Sequence, residues 1–362
     1  MTNNSDNINQ SFNFSFFTSV DKKQIRWGYM KSNRSCIYLN NVKQRWDLTT
    51  NNTAPTNKEN IEDNCKGIIL LLSGRTEFME KYQLVSSKLS SMGYHVMSLD
   101  WRGQGLSVRE LPNQDKGYVK DFQLYINDLK LFFNLYVAPL SIKFNLPINI
   151  IAHSMGGHIT LRFLSQVYKN GCKMDMLKIE KAILISPMID IITSPIKRDF
   201  LDIVTNWGTR LLANIALNFK LGANYIPGGK DYAIENAKFE NNLLTHDWDN
   251  FWLEHKEISK NRKLALGGVT WGWLKAAFDS IDALNDKKSL SKIRTAIWIL
   301  SAEQDRVVSN KAQKQICQTL PNGKFISIPN SRHEILFETE DISKLLWENI
   351  ANILGTKKVN IL

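Results

Sequence analysis

The sequence predicts an α/β fold in which a mostly parallel central sheet is flanked by helices and carries an inserted helical cap. Short apolar runs that are typical of buried strands alternate with segments of helical period, which indicates βαβ units. One of these runs ends in His153-Ser154-Met155 and two glycines, where a helix must begin. A long aromatic-rich segment, 188–282, interrupts the alternation and predicts the cap.

The predicted elements begin with a hairpin and continue as alternating strands and helices. The strands are 11–18 and 24–30 in the hairpin, then 67–74, 95–100, 149–152, 181–187, 295–301 and 323–329. The helices are 78–92, 119–137, a segment from 157 onward, 309–319 and 341–354. The Asn-, Thr- and Glu-rich stretch 51–64 is predicted to be a surface loop.

The alternation divides the chain into a core of 1–187 and 283–362 and a cap of 188–282. Five of the ten tryptophans lie in the cap, namely Trp207, Trp248, Trp252, Trp271 and Trp273. Aromatic side chains there could line an apolar pocket over the site. Most of them are expected to form the core of the cap itself.

Composition favours a cytoplasmic protein. No run of about 18 or more apolar residues predicts a spanning helix. The N-terminal “MTNNSDNINQ” has neither the basic nor the apolar region of a secretory signal. The four cysteines lack C-x-x-C spacing, which favours free thiols in a reducing compartment; they are Cys36, Cys65, Cys172 and Cys317.

The net charge of +11 is compatible with nucleic acid, an anionic membrane surface or simple solubility. No helix-turn-helix, zinc-finger or RNP-type signature accompanies it, so nucleic acid is not an expected partner. Basic residues are concentrated in 22–45, near Tyr38 and Trp46: Lys22, Lys23, Arg26, Lys31, Arg34, Lys43 and Arg45. This basic segment is typical of a patch that contacts anionic lipid, and also of an ordinary solvated surface.

The turn at Ser154 matches the nucleophile elbow of the α/β-hydrolases, usually written G-x-S-x-G. A sharp strand-to-helix turn strains the backbone at the serine and needs small residues two positions away on either side. Those positions hold Ala152 and Gly156, and Gly157 follows. The alternative is a serine that only caps a helix.

A nucleophilic serine needs a base and a carboxylate that orients the base. His333 follows the last predicted strand, at the carboxyl edge of the sheet where open α/β folds bind ligands. Asp305 follows the preceding strand, and the chain order Ser154, Asp305, His333 is that of α/β-hydrolases. Asp190 also follows a strand and stays a rival acid, whereas Glu334 is badly placed to reach Nδ1 of the histidine.

The other histidines are not expected to act as the base. His153 adjoins the serine and should point away from the site, and His158 should pack or hydrogen-bond within the elbow helix. His95 opens a predicted core strand, and His246 and His255 fall in the cap.

Seven motifs stand in order along the chain: “GRTEFMEKY” (74–82), “LDWRGQGLS” (99–107), “AHSMGGH” (152–158), “NLLTHDWDNF” (242–251), “LGGVTWGWLKAA” (266–277), “SAEQDRVV” (301–308) and “SRHEILFE” (331–338). With them the chain, from about 14 to 354, resembles the serine α/β-hydrolases of the monoacylglycerol lipase and lysophospholipase L2 group, most closely the bacterial lysophospholipases. Ser73-Gly74 stands where monoacylglycerol lipases have His-Gly, which favours the lysophospholipases. Residues 31–64 resemble nothing in the family and are predicted to be a surface insertion.

The resemblance implies fatty-acid release from lysophospholipids or monoacylglycerols through a covalent acyl-enzyme, with Ser154 as nucleophile, His333 as base and Asp305 as orienting acid. The implied oxyanion hole consists of the backbone N–H groups of Met155 and Arg75, and Gly74 lets the loop approach closely. No metal and no organic cofactor is expected. The alternatives are a hydrolase of small soluble esters or peptides and a non-catalytic binding module of the same fold.

Overall fold

The structure, a computed structural model, describes residues 11–33, 65–169, 179–192 and 199–355, with 199–206 described by their backbone only. The predicted loop 51–64 and nearly all of the predicted insertion 31–64 lie outside the described residues. So do Cys36, Cys172 and three members of the basic segment, Arg34, Lys43 and Arg45.

Eight strands of the described chain form one sheet. They are β1 (Asn13–Thr18), β2 (Gln24–Met30), β3 (Gly67–Leu72), β4 (Tyr94–Leu99), β5 (Ile148–His153), β6 (Ile179–Ile185), β7 (Ala296–Ala302) and β8 (Gly323–Ile328). Their order is β1-β2-β4-β3-β5-β6-β7-β8. The predicted hairpin, β1 and β2, is antiparallel and joins β4 antiparallel, whereas all pairs from β4 to β8 are parallel. The predicted mostly parallel sheet is confirmed.

Helices cover both faces of this sheet. They are α1 (Gln83–Ser91), α2 (Gln123–Phe132), α3 (Ala138–Phe144), α4 (Met155–Lys169), α5 (Asp199–Asn218), α6 (Trp248–Lys260), α7 (Trp271–Leu284), α8 (Lys287–Leu290), α9 (Asn310–Thr319) and α10 (Glu340–Leu354). Within the described ranges, no helix has both the length and the apolar character needed to cross a bilayer.

Two helix predictions differ from the structure. The helix predicted over 119–137 is interrupted, because a π-helical turn, Phe133–Val137, joins α2 to α3. The helix predicted over 78–92 begins only at Gln83, because tight turns precede it: the N–H of Lys81 donates to the carbonyl of Phe78 and that of Tyr82 to Met79. These turns place Glu77, Lys81 and Tyr82 in one hydrogen-bonded group beside Gly74 and His153.

The central strands are buried on both faces, which explains their continuous apolar runs. Ile68, Leu70 and Leu72 of β3 pack in the core cluster on one face, and Ile69 and Leu71 in the cluster on the other. The loops that follow β3 and β5 are therefore anchored by fully buried strands, and the loop after β7 by a strand whose last four residues are buried.

The chain between β6 and β7 contains α5, α6, α7 and α8, with short 3-10 turns between α5 and α6 and between α6 and α7. Its third helix, α7, is not separate from the core: Trp273, Ala276 and Ala277 pack in the main core cluster. The division at 188–282 itself stays a prediction.

Candidate active site

Ser154 occupies the single position between β5 and α4. Its φ of 49° lies in the left-handed region, which is costly for a residue with a side chain. Its N–H donates to the carbonyl of Ile185 at the end of β6, and its carbonyl accepts the N–H of Met188. The strained serine is therefore fixed by backbone hydrogen bonds to the neighbouring strand and loop.

Steric contacts explain the small residues around the serine. A Cβ at Gly156 would lie 2.6 Å from the carbonyl oxygen of Ser73, and one at Gly157 would lie 2.8 Å from Cβ of Pro187. Ala152 is fully buried in β5. Backbone and ring atoms cannot move aside as flexible side chains do, so the elbow allows no larger residue at either glycine.

The structure brings the three predicted triad residues together. Nε2 of His333 lies 2.9 Å from Oγ of Ser154, and Nδ1 of His333 lies 2.8 Å from Oδ2 of Asp305. All three side chains are buried. Distances of this size allow direct proton transfer between hydroxyl and imidazole.

Asp305 is held as a carboxylate. Its Oδ1 accepts the N–H groups of Val307 and Val308 at 2.8 and 3.0 Å. Burial alone would raise its pKa, but the charge of His333 and the hydrogen bonds from His333, Val308 and Val307 lower the pKa below its ordinary value. The site thus keeps a negative charge facing the histidine.

The rival residues lie elsewhere. Asp190 accepts the N–H of Ile191, and the hydrogen bond to Nδ1 of His333 comes from Asp305 instead. Glu334 pairs with Lys81 at 2.7 Å. Both observations agree with the predicted choice of acid.

His158 packs as predicted. Its Nδ1 lies 2.9 Å from the carbonyl oxygen of Met188 and its Nε2 lies 2.7 Å from Oγ of Ser280. Burial, with the nearby charge of Arg162, lowers its pKa to about 3. His158 is therefore a neutral structural residue.

The predicted oxyanion donors flank the serine. Met155 is the first residue of α4, so its N–H has no acceptor within the helix. Arg75 follows Gly74, where an added Cβ would lie 3.1 Å from Cβ of Ser154. Only a glycine allows this loop to approach the nucleophile so closely.

The “LDWRGQGLS” motif supports the same loop, as predicted for a structural turn near the site. Nε2 of Gln104 donates to the carbonyl oxygens of Gly74 and Glu77 at 2.7 and 2.8 Å. Gln104 is buried, so these hydrogen bonds fix the position of the loop that contains Gly74 and Glu77.

Glu77 was not predicted as a site residue, but it links three parts of the site. Its Oε2 accepts the backbone N–H of Gly74 and the hydroxyl of Tyr82, the latter at 2.7 Å. Nδ1 of His153 lies 3.0 Å from the same oxygen, and Nε2 of His153 lies 3.2 Å from the carbonyl oxygen of His333. The side chain of His153 therefore turns from Ser154 toward Glu77, and it contacts the backbone of His333.

Lys81 completes this buried network. Its Nζ lies 3.2 Å from Glu77, 3.0 Å from Glu254 and 2.7 Å from Glu334. Glu254 belongs to α6, so one lysine ties the segment between β6 and β7 to the loop after β3. Burial alone would lower the pKa of Lys81, but the three carboxylates raise it well above its ordinary value. The sequence did offer one indication of this ion pair, because Glu77 and Lys81 are four positions apart in “GRTEFMEKY”.

A cavity of about 480 Å³ is lined mainly by the segment 230–244, together with two residues of α6 and with Leu266, Gly267 and Val307. Apolar side chains provide much of its lining, among them Leu243, Leu244, Phe251, Leu266 and Val307. Val307 lies two positions after Asp305, and the carbonyl of Leu244 accepts the N–H of Glu334. The apolar space thus lies next to the segments that carry Asp305 and His333, while the triad side chains themselves do not line it.

A family model described as serine aminopeptidase, S33, matches residues 63–340. The chain belongs to this family. The serine aminopeptidase S33 match includes every residue of the candidate triad and both candidate oxyanion donors. It confirms a serine hydrolase of the predicted group.

Curated relatives of this S33 chain include bacterial enzymes. It is 29% identical over 296 residues to the probable lysophospholipase L2 of Haemophilus influenzae, covering 82% of this chain and 86% of the relative. It is 27% identical over 301 residues to lysophospholipase L2 of Escherichia coli strain K12, covering 80% of each chain.

Solved structures share the fold. A soluble variant of monoglyceride lipase from Saccharomyces cerevisiae, in complex with a substrate analog, superposes with a TM-score of 0.66 at 18% identity and covers 96% of both chains. A carboxyl esterase from Bacillus coagulans in complex with glycerol gives 0.65 at 15% identity, covering 95% of this chain and 98% of that one. The predicted α/β-hydrolase fold is confirmed.

Proposed function

We propose that the chain hydrolyses the acyl ester of a lysophospholipid or a monoacylglycerol through a covalent acyl-enzyme on Ser154. The observation that carries the proposal is the hydrogen-bonded array of Ser154, His333 and Asp305 beside an apolar cavity. Two relatives that align over most of their length are named lysophospholipase L2, which supports a single-chain lipid ester as substrate.

In the first half-reaction, Oγ of Ser154 attacks the ester carbonyl while Nε2 of His333 takes its proton. Asp305 stabilises the imidazolium that forms. The N–H groups of Met155 and Arg75 donate to the developing oxyanion, and His333 then protonates the departing glycerol oxygen. In the second half, a water activated by His333 releases the fatty acid and restores the serine.

The segment 188–282 acts as the cap in this proposal. Backbone groups tie it to the histidine loop: Nη1 of Arg332 donates to the carbonyl oxygens of Asn242 and Thr245, each at 3.0 Å. His246 pairs with Glu338 at 2.9 Å. These contacts support a cap that forms one wall of the acyl-chain cavity.

Docking at an anionic lipid surface is part of the proposal, with one correction to the residues involved. Arg26 was included in the basic segment, but it is buried and ion-paired with Glu80 and Asp100. Lys22 and Lys23 are exposed. The described part of the surface that can contact lipid therefore consists of lysines and excludes Arg26.

The experiment is a substrate panel read by product release. Lysophospholipids and monoacylglycerols of rising acyl length are compared with short soluble esters and with amino-acid anilides, since the family description names an aminopeptidase. The proposal predicts that kcat/KM rises with acyl length and that anilides are not cleaved. Preferential cleavage of anilides or of the shortest esters contradicts it, and no turnover of any substrate would favour a binding module.

A further inference from the structure

Arg75 is half-buried, and its charge is balanced differently from that of the two buried arginines, Arg26 and Arg102. Arg26 pairs with two carboxylates, and Arg102 with three, Asp21, Glu110 and Asp128. No carboxylate lies within ion-pair distance of Arg75 among the residues that the structure describes. A cation in such a place is costly unless something compensates it.

The guanidinium of Arg75 is nevertheless held in one place. Its Nη2 donates to the carbonyl oxygen of Gly267 at 2.9 Å, and its Cζ lies 5.2 Å from the ring centre of Trp273. A Cβ at Gly117 would lie 2.6 Å from Nη2, so a glycine makes room for it. These contacts with Gly267, Trp273 and Gly117 fix the position of the guanidinium.

These contacts do not use all the hydrogen-bond donors of Arg75. Nε of Arg75 is buried and has no partner in the described part of the chain. The planar guanidinium carries five N–H groups, and a carboxylate or a phosphate can accept two of them at once. Burial lowers the pKa of Arg75 only to about 10, so the group stays cationic at neutral pH. A buried N–H group without an acceptor needs an explanation, and an anionic ligand that accepts from Nε of Arg75 would provide one.

The position of Arg75 relates this unused capacity to the reaction. Its backbone belongs to the loop that approaches Ser154 through Gly74. Gly267, which accepts Nη2, also lines the apolar cavity. In a lysophospholipid only the glycerol carbons separate the ester from the phosphate, so a phosphate falls within reach of a side chain on this loop.

We propose that the guanidinium of Arg75 binds the phosphate of the substrate head group and selects lysophospholipids over monoacylglycerols. The inference rests on the proposed function and decides between its two substrates. Glu254, the carboxylate whose charge acts on Arg75, is ion-paired with Lys81 and is therefore not a partner of the guanidinium.

The test compares Arg75→Gln, which keeps the backbone N–H, with wild type on a lysophosphatidylcholine and a monoacylglycerol that carry the same short acyl chain. Both substrates are kept monomeric, so binding to a lipid surface does not contribute. Arg75→Lys keeps the charge without the planar fork. Arg294→Gln is the matched control, because this exposed arginine precedes β7 at the amino end of the sheet, away from the site.

We expect Arg75→Gln to reduce kcat/KM for the lysophospholipid by roughly 10- to 100-fold more than for the monoacylglycerol, the usual effect of losing a charge-assisted hydrogen bond. Arg75→Lys should recover part of this preference, and Arg294→Gln should show the wild-type preference. Equal losses on the two substrates, or no loss, would overturn the inference and leave the proposed function standing. Wild-type enzyme that cleaves neither lipid would overturn both.

A further assay distinguishes binding of the phosphate in the lipid head group from binding of free inorganic phosphate. Inorganic phosphate is added to the monoacylglycerol assay against chloride of equal ionic strength. Weak inhibition together with the lost preference in Arg75→Gln supports head-group binding. Strong inhibition that Arg75→Gln abolishes, without any loss of preference, would assign the site to free phosphate and overturn the inference.

Discussion

Nε2 of His333 lies 2.9 Å from Oγ of Ser154, although 179 positions separate the two residues in the chain. Parallel strands bring the loops after β5 and β8 to the same edge of the sheet, and this produces the contact. The proposed mechanism depends on it, because proton transfer between these two atoms begins the first half-reaction and ends the second.

Replacing Ser154 by alanine should abolish ester hydrolysis and leave the fold intact. The change removes Oγ but keeps Cβ, so the elbow has to accommodate no new atom. We expect a loss of about 10⁴- to 10⁶-fold in kcat, with an unchanged melting temperature. Fatty-acid release and thermal unfolding measure the two effects. Near-wild-type turnover would mean that another residue is the nucleophile.

Asp305→Asn should reduce activity far more than Asp190→Asn. The amide cannot hold His333 in the required tautomer or stabilise the imidazolium, and a loss of about 10⁴-fold in kcat is expected. Asp190→Asn serves as the matched control, with less than about tenfold loss. The reverse ranking would assign the acid to the loop after β6.

Gly74→Val should cost more activity on a phosphate-free ester than Arg75→Gln. A Cβ at Gly74 would lie 2.8 Å from Glu77, 3.0 Å from His153 and 3.1 Å from Ser154, so the loop must shift. Losing one oxyanion donor typically costs about 10²–10³ in kcat. If Arg75→Gln were the more damaging change on this ester, the backbone role of Arg75 would be wrong.

Glu77→Gln should lower the unfolding free energy at neutral pH. The difference in unfolding free energy between the variant and the wild type should become smaller at acidic pH. Burial alone would raise the pKa of Glu77, but His153, Lys81 and the hydrogen bonds from His153 and Tyr82 lower it below its ordinary value of 4.5. A lowered pKa contributes stability above about pH 4.5 that is lost as the pH falls through the folded-state value.

Removing one partner of a buried ion pair costs about 3–5 kcal/mol. The measurement for Glu77→Gln is the difference in unfolding free energy from wild type at pH 7 and below pH 4.5. Glu80→Gln, on a half-buried glutamate in the same motif, is the control. A difference that does not change with pH would show that the charge of Glu77 contributes nothing.

Binding to anionic liposomes should weaken as salt rises. Each exposed lysine near such a surface contributes about 1 kcal/mol, screened over a Debye length of roughly 10 Å at 0.1 M salt. Reversing the charge of Lys22 and Lys23 should lower liposome binding and leave cleavage of a soluble short-chain ester intact. Binding that responds to neither salt nor charge reversal would exclude electrostatic docking.

The parts of the fold that depend on local sequence patterns could be predicted from the sequence. The strands are continuous apolar runs because both faces of the sheet are buried, and the elbow is recognisable because its sterics exclude larger residues at Gly156 and Gly157. The chain order of Ser154, Asp305 and His333 then indicated which loops meet.

The parts that depend on distant contacts could not be predicted. Arg26 was assigned to a solvated basic patch, because its partners Glu80 and Asp100 are far away in the chain. The role of His153 was incomplete for the same reason, since Glu77 lies 76 positions away from it. Ion pairs of this kind arise only when the sheet assembles.

The most direct test of the central claim is labelling with a fluorophosphonate probe, followed by mapping of the modified residue by mass spectrometry. The account predicts one adduct, on Oγ of Ser154, whose formation parallels the loss of fatty-acid release from a lysophospholipid. His333→Ala should suppress labelling, because the serine then lacks its base. An adduct on another residue, or full activity after stoichiometric labelling of Ser154, would contradict the account.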